Sequence, residues 1–172
     1  MDDTFMTRSA LAATLALTLV SPFALIGQTS PAKAADPTFA DATGRWSGKG
    51  WVKRKGDGDK EIVRCRITSS FEAPRLSIDG KCAASGTNFP VKGYIIDTGG
   101  RFTGRWYNPV GNDTAPIRGK ARGKTVALAF TFPPKENRKA VSGQLLWTKG
   151  SDELLLTSSD GAGELSRIVF RR

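Results

Sequence analysis

Gly44-Arg45-Trp46-Ser47-Gly48-Lys49-Gly50 and Gly100-Arg101-Phe102-Thr103-Gly104-Arg105-Trp106 carry one pattern, and that pattern decides the fold class. Each stretch reads glycine, arginine, aromatic, hydroxyl, glycine, base. Alternate residues of an extended strand face opposite sides of a sheet. One face therefore carries glycine and aromatic residues, and the other carries hydroxyls and bases. The pattern predicts strands with a glycine-thinned apolar inner face and a basic outer face.

Segments with the same alternation fill the rest of the chain and are separated by turn residues. They lie at 44–54, 61–71, 75–84, 88–97, 101–108, 115–122, 124–133, 140–148, 153–159 and 163–171. Short, evenly spaced strands without helices are typical of a sandwich or a barrel. A long antiparallel sheet tends to close, because closure removes its edges. We predict an all-β fold, a single antiparallel up-and-down β-barrel of about 8–10 strands.

Cys65 and Cys82 are the only two cysteines, and their spacing fits a hairpin. Paired positions in an antiparallel hairpin sum to a constant, and a turn at Ala73-Pro74 places the two cysteines opposite each other. In an oxidising compartment they should form a disulfide. The crosslink closes a loop of about 16 residues and should contribute roughly 3 kcal/mol.

Three other turns set further pairings. A turn at Arg122-Gly123 predicts that Ile117 pairs with Leu128 and Gly119 with Val126. A turn over 149–152 predicts that Leu145 pairs with Leu156 and Trp147 with Leu154. The turn at 98–100 allows two registers that differ by two in the pairing sum. Both keep the same side chains on the same face.

The first 34 residues read as a secretory signal peptide. Ala10–Val20 is an apolar run too short to span a bilayer comfortably, and 32–34 offers small residues at a cleavage site. We expect cleavage before Ala35 and a periplasmic mature chain, with secretion as a further option. An uncleaved anchor is the alternative, and Met6 is an alternative start.

The mature chain divides into a polar lead-in, 35–43, and a barrel domain, 44–172. The formal charge of +10 belongs to this mature part, because the charges of the signal cancel. A basic domain attracts anionic partners. Here these are an anionic envelope component or an acidic protein, although the charge could serve solubility alone. We expect a monomer with no transmembrane span and no nucleic-acid partner, since no nucleic-acid-binding motif is present.

The residue types disfavour catalysis. The sequence has no histidine, the commonest general base and metal ligand. Oxidised cysteines leave no thiol nucleophile. Asp57 and Asp59 read as turn residues, because the closing glutamate of a calcium loop is missing. We expect no catalytic residues, no metal and no cofactor, and hence no enzyme.

Gly44-Arg45-Trp46 resembles the Gly-x-Trp signature of the calycin-type barrels, which include lipocalins, fatty-acid-binding proteins, avidins and small bacterial protease inhibitors. The resemblance implies that Trp46 plugs one barrel end and that a basic residue of the last strand packs across it. Arg167 fits that role first and Arg171 second. The Thr-Asp-Tyr turn and the C-terminal helix of lipocalins are missing, so the resemblance stays at superfamily level.

Two groups of residues are candidates for binding. By alternation, aromatic side chains point inward and could line a ligand pocket or fill the barrel; Trp51 faces outward unless a bulge inverts it. The ligand-lining candidates are Phe102, Trp106, Phe130 and Trp147. On the outer face, arginine forks can bind phosphate or carboxylate. The anion-binding candidates are Arg101, Arg105, Arg118, Lys120, Arg122 and Lys124.

These features together predict an exported, non-enzymatic binding barrel. It would hold a small apolar or amphipathic ligand, or dock an anionic envelope component. The alternative is a lipocalin-like inhibitor of a protease or other enzyme, which would insert residues 35–43 into its target.

Overall fold

Alternating apolar and polar residues form ten strands in the computed structural model, which describes residues 38–54, 58–109, 113–136 and 139–172. The predicted signal peptide lies outside the described residues. A 3-10 turn, Ala40–Ala42, precedes the sheet. The strands are β1 Gly44–Val52, β2 Glu61–Glu72, β3 Arg75–Ala84, β4 Thr87–Asp97, β5 Arg101–Tyr107, β6 Thr114–Arg122, β7 Thr125–Phe132, β8 Val141–Thr148, β9 Glu153–Ser159 and β10 Glu164–Arg171.

The ten strands form one closed barrel. Each strand pairs antiparallel with its neighbours in sequence, and β10 returns to pair with β1. Gly48 of the first strand lies opposite Phe170 of the last. The all-β, up-and-down antiparallel barrel predicted from the sequence is therefore confirmed, at the upper end of the predicted strand number.

The hairpin registers mostly follow the predicted turns. Cys65 lies opposite Cys82 and the two form a disulfide. Leu145 pairs with Leu156, as predicted. These matches arise because the turn residues fix the pairing sum once the turn is placed correctly.

The β6–β7 register differs from the prediction. Ile117 pairs with Phe130 rather than Leu128, and Gly119 pairs with Leu128 rather than Val126. The turn consists of Gly123, with φ +58°, and the following lysine. This two-residue turn lies one position later than predicted, so the pairing sum rises by two and each side chain keeps its predicted face.

The repeated glycine–arginine–aromatic pattern follows the inside–outside rule. Trp46, Phe102 and Trp106 are buried in the barrel, whereas Arg45 and Arg105 are exposed. Trp51 faces outward as well, where it lies opposite the exposed Ile62. No bulge inverts the end of β1.

The described part of the lead-in, residues 38–43, closes one end of the barrel. Phe39 is 2% exposed, and its ring centroid lies 5.0 Å from that of Phe102 and 6.0 Å from that of Trp147. The opposite end carries the β1–β2, β3–β4, β5–β6, β7–β8 and β9–β10 connections. The two ends therefore differ, one sealed by an aromatic cluster and one bordered by loops.

Removing the disulfide should destabilise the fold measurably. We expect the Cys65→Ser, Cys82→Ser double variant to lose about 3 kcal/mol of unfolding free energy, because its unfolded chain gains the entropy of an open loop. Urea unfolding monitored by circular dichroism checks this. Wild-type protein measured with a reductant should fall to the same value, and a reduced wild type as stable as the oxidised one would contradict the expectation.

Candidate binding cavity

Trp46 is held at the closed end by a short hydrogen-bond chain. Its Nε1 donates to Ser69 Oγ at 2.9 Å, and Ser69 Oγ donates to the carbonyl of Ala42. The Arg172 guanidinium carbon lies 4.8 Å from the centre of the indole ring. A buried indole needs a partner for its N–H, and a cation over its face adds a favourable contact. Trp46 thus ties the lead-in to the barrel end.

The cation over Trp46 is Arg172, not the predicted Arg167. Arg167 lies opposite Trp51, and its exposed guanidinium pairs with Glu164 at 3.0 Å. The β1–β10 register explains the error. Ser47 pairs with Arg171. The next residue, Arg172, therefore lies opposite Trp46 and on the same side of the sheet as its indole. Arg171, the second choice, faces outward and pairs with Glu153.

Among the described residues, the closed end leaves too little space for an organic ligand. Its residual space is only about 30 Å³, enough for a water molecule or two but not for an organic molecule. Phe102 and Trp147 pack around Phe39 here, and we call these three residues the aromatic seal. The structure therefore places two of the four ligand-lining candidates in the aromatic seal and away from any larger space.

The open end contains a cavity of about 830 Å³. Two ligand-lining candidates, Trp106 and Phe130, lie in its wall with their rings stacked at 5.5 Å between centroids. Phe132 packs edge-on against Phe130. The apolar lining residues are Val52, Ala84, Phe89, Pro90, Val91, Trp106, Pro109, Phe130, Phe132, Val141, Leu156, Ala162, Leu165 and Ile168.

Two glycines set the position of the stacked rings. A Cβ atom at Gly93 would overlap the indole of Trp106, and one at Gly143 would overlap the phenyl ring of Phe130. Because both positions lack a side chain, the two rings lie flat against the barrel wall. The glycine-thinned inner face thereby leaves the middle of the barrel open above the stacked pair.

Polar groups mark the upper part of the cavity. Ser158 and Ser166 hydroxyls hydrogen bond at 2.7 Å inside it. At the rim, Arg54 Nε lies 2.9 Å from a carboxylate oxygen of Glu61. Hydrogen bonds from Ser85 and Arg54 hold the pKa of Glu61 below its ordinary value, so this carboxylate stays ionised at neutral pH. The charged rim residues are Lys53, Arg54, Glu61, Lys139 and Asp160.

The anion-binding candidates lie together on the outer wall of β5 and β6. Arg101 lies opposite Lys120, and Arg118 lies opposite Thr103. Lys124 follows in the turn after β6. Arg105 donates to Thr114 Oγ1 at 3.0 Å. All six cations are exposed, and none has an ion pair within the described part of the chain. We call this surface the β5–β6 wall.

The sequence did not predict several residues of the site. Phe132 follows Phe130 at strand spacing and could have been found by the same alternation. Phe89 and the rim residues could not, because the hairpin ends that border the cavity are fixed only by closure of the barrel. Phe39 stands in a polar segment that gives no periodic signal.

Among the described residues, no three side chains of histidine, cysteine, aspartate or glutamate are grouped so that they could hold a metal ion. In the same part of the chain, none of the helical structure is long and apolar enough to span a bilayer.

The sequence matches no family model and no curated protein. The structure is similar to that of Rv2717c from M. tuberculosis, with a TM-score of 0.57 and 16% sequence identity. The match covers 80% of this chain and 98% of that one. At this identity the similarity shows the fold alone, and a closed antiparallel barrel is consistent with the calycin-like resemblance.

Proposed function

We propose that this protein is an exported, non-enzymatic binding barrel that holds one small apolar or amphipathic ligand in its open-end cavity. The observation that carries the proposal is the volume of that cavity, about 830 Å³. Ligand sites for small molecules are commonly concave, largely apolar and about 300–1,000 Å³ in volume. A barrel built only for stability would have its interior filled.

The lining favours an amphipathic ligand over a purely apolar one. Burying apolar surface against Trp106, Phe130 and Leu156 would supply about 25 cal/mol per Å². The Ser158 and Ser166 hydroxyls would hydrogen bond to polar atoms midway along the ligand. The charged rim keeps a polar head group in contact with water. An acyl chain or a small fused-ring compound with one polar end fits a cavity that changes from apolar at its base to charged at its rim.

A fluorescent fatty-acid analogue provides the test. Titration with 11-(dansylamino)undecanoic acid should give saturable, one-to-one binding. Dansyl emission should shift to the blue, and energy transfer from tryptophan should appear, because Trp106 lies in the cavity wall. A titration without saturation, or one that follows bulk partitioning, would contradict the proposal.

The β5–β6 wall supports a second candidate function, docking of an anionic envelope component. Six exposed cations share one face, and none has an ion pair within the described residues. The guanidinium of a single arginine can bind a phosphate group bidentately. This function uses the outside of the barrel and is compatible with a ligand inside it.

Charge reversal on this wall tests the second function. We expect the Arg118→Glu, Arg122→Glu variant to lose binding to purified lipopolysaccharide, and wild-type binding to weaken as salt screens the charges. Surface plasmon resonance at several salt concentrations provides the measurement. The Arg167→Glu, Arg171→Glu variant carries the same charge change on the exposed face of β10 and is the control. Unchanged binding by the Arg118→Glu, Arg122→Glu variant would rule this function out.

The inhibitor alternative gains little support. Its acting segment would be the lead-in, yet Phe39 lies in the core and Arg172 Nη1 donates to the Asp41 carbonyl at 2.6 Å. Inserting this segment into a target would require pulling Phe39 out of the aromatic seal. We therefore do not assign the lead-in an inhibitory role.

A further inference from the structure

A second basic surface lies on the outside of β1, β2 and β3. Lys49 lies directly opposite Arg64, and Arg66 lies directly opposite Lys81. Side chains at such positions have Cβ atoms about 4.5–5.5 Å apart, and like charges there destabilise a sheet. Two like-charged pairs side by side therefore cost stability in the isolated protein. We call the surface formed by Lys49, Trp51, Lys60, Ile62, Arg64, Arg66 and Lys81, which extends from the middle of the barrel to its open end, the rim face.

Nearby carboxylates do not neutralise this surface. Asp79 shares the outer side of β3 but pairs with Lys92 at 3.1 Å. Glu164 and Glu153, on β10 and β9, pair with Arg167 and Arg171. Within the described residues, none of the cations of the rim face has an ion pair. An anionic partner from outside would therefore relieve the like-charge repulsion.

The rim face also exposes apolar side chains. Ile62 is 72% exposed, and it lies opposite the partly exposed Trp51. Lys60 Nζ lies 4.3 Å from the centre of the Trp51 ring. This pair stands at the end of β1 and β2 that borders the cavity, next to Arg54 and Glu61 of its rim.

We propose that the rim face docks the mouth of the barrel on an anionic lipid bilayer. Ile62 and Trp51 would enter the interfacial region, where tryptophan is favoured. The cations would contact lipid phosphates, and the Lys60 stem would cover apolar surface while its charge stays in water. This goes beyond ligand binding, because it assigns a separate surface and a separate partner.

The exposed apolar pair distinguishes a bilayer from a soluble polyanion. A polysaccharide or a free phosphate would interact with the cations but would gain nothing from an isoleucine that is 72% exposed. The β5–β6 wall offers the comparison: its cations are accompanied by Tyr107, which is 45% exposed, and not by an aliphatic side chain. Charge and apolar surface together are typical of peripheral membrane binding.

Vesicle sedimentation with the mature chain tests the proposal. We expect binding to phosphatidylcholine vesicles that contain phosphatidylglycerol, little binding to phosphatidylcholine alone, and release at high salt. Trp51 reports insertion selectively, since Trp46, Trp106 and Trp147 are only 4%, 5% and 5% exposed. Brominated phosphatidylglycerol should quench tryptophan fluorescence of the wild type, and Trp51→Phe should lose most of that quenching.

Two variants separate a bilayer from other partners. Ile62→Ser should weaken partitioning about tenfold, because one exposed aliphatic side chain no longer inserts. Lys49→Glu, Arg64→Glu should abolish it, and Arg118→Glu, Arg122→Glu should leave most of it in place. If Ile62→Ser binds vesicles as well as wild type does, the surface is a polyanion site and the proposal is wrong. Equal loss in the Arg118→Glu, Arg122→Glu variant would also overturn it.

A negative result for vesicle binding can be distinguished from a negative result for ligand binding in the cavity. Binding of dansylundecanoic acid in solution should be unchanged by Ile62→Ser, since this side chain points away from the cavity. A preparation that binds the probe but not vesicles would contradict the docking proposal and leave the proposed function intact.

Discussion

Replacing Trp46 by alanine should lower the free energy of unfolding by about 4 kcal/mol, within the range for truncating a buried aromatic side chain. The indole is 4% exposed at the closed end. Its loss would leave a cavity and remove the partner of the Ser69 hydroxyl and the surface on which Arg172 packs. The lead-in is tied to the barrel through the same residues, so the aromatic seal should loosen. Urea unfolding followed by far-UV circular dichroism measures the effect.

Trp51→Ala is the matched control, because it removes the same side chain from the same strand but from the outer face. It should cost less than about 1 kcal/mol, since it removes a partly exposed ring and its contact with Lys60. Equal losses for the two variants would show that Trp46 is no more important to the fold than a surface residue. That result would contradict its role as an end-plug.

Filling the cavity should abolish ligand binding without unfolding the barrel. Ala84 is 7% exposed and lies in the cavity wall. In Ala84→Trp the new indole would occupy space that is empty in the wild type, so overpacking should be small. We expect affinity for dansylundecanoic acid to fall at least tenfold, equivalent to about 1.4 kcal/mol. Fluorescence titration measures the affinity, and thermal unfolding checks the fold.

Ala83→Trp places the same side chain on the neighbouring residue, which faces outward. It should bind the probe as the wild type does. If Ala84→Trp also retains wild-type affinity, the probe does not enter the cavity. If both variants lose affinity, the effect comes from damage to β3 and not from occupation of the cavity.

Most of the fold could be predicted because a β-barrel depends on local rules. Alternation gives the face of each residue, and turn residues give the pairing, as Cys65 and Cys82 illustrate. The β6–β7 error shows where these rules weaken. A Gly-Lys turn and an Arg-Gly turn give the same faces. The observed turn places Gly123, with φ +58°, first, so that no arginine has to adopt a positive φ.

The site was harder to predict, because alternation shows that a ring points inward but not how much space it fills. Phe102 and Trp106 occupy matching positions of one strand, yet Phe102 meets Phe39 in the seal and Trp106 stacks on Phe130 below the cavity. The difference comes from a lead-in residue that fills one end. Likewise, Arg172 lies beyond the last strand, and only the closing register brings it to Trp46.

The central claim is that one ligand occupies the open-end cavity, and native mass spectrometry tests it most directly. Wild type would be mixed with Ala83→Trp in one sample and with Ala84→Trp in another, because the two variants have the same mass. In each sample the two proteins compete for a mixture of long-chain fatty acids. We predict an adduct of one fatty acid on the wild type and on Ala83→Trp, and none on Ala84→Trp. The claim would be contradicted by equal adducts on all three proteins, or by bare wild-type chain at saturating fatty acid.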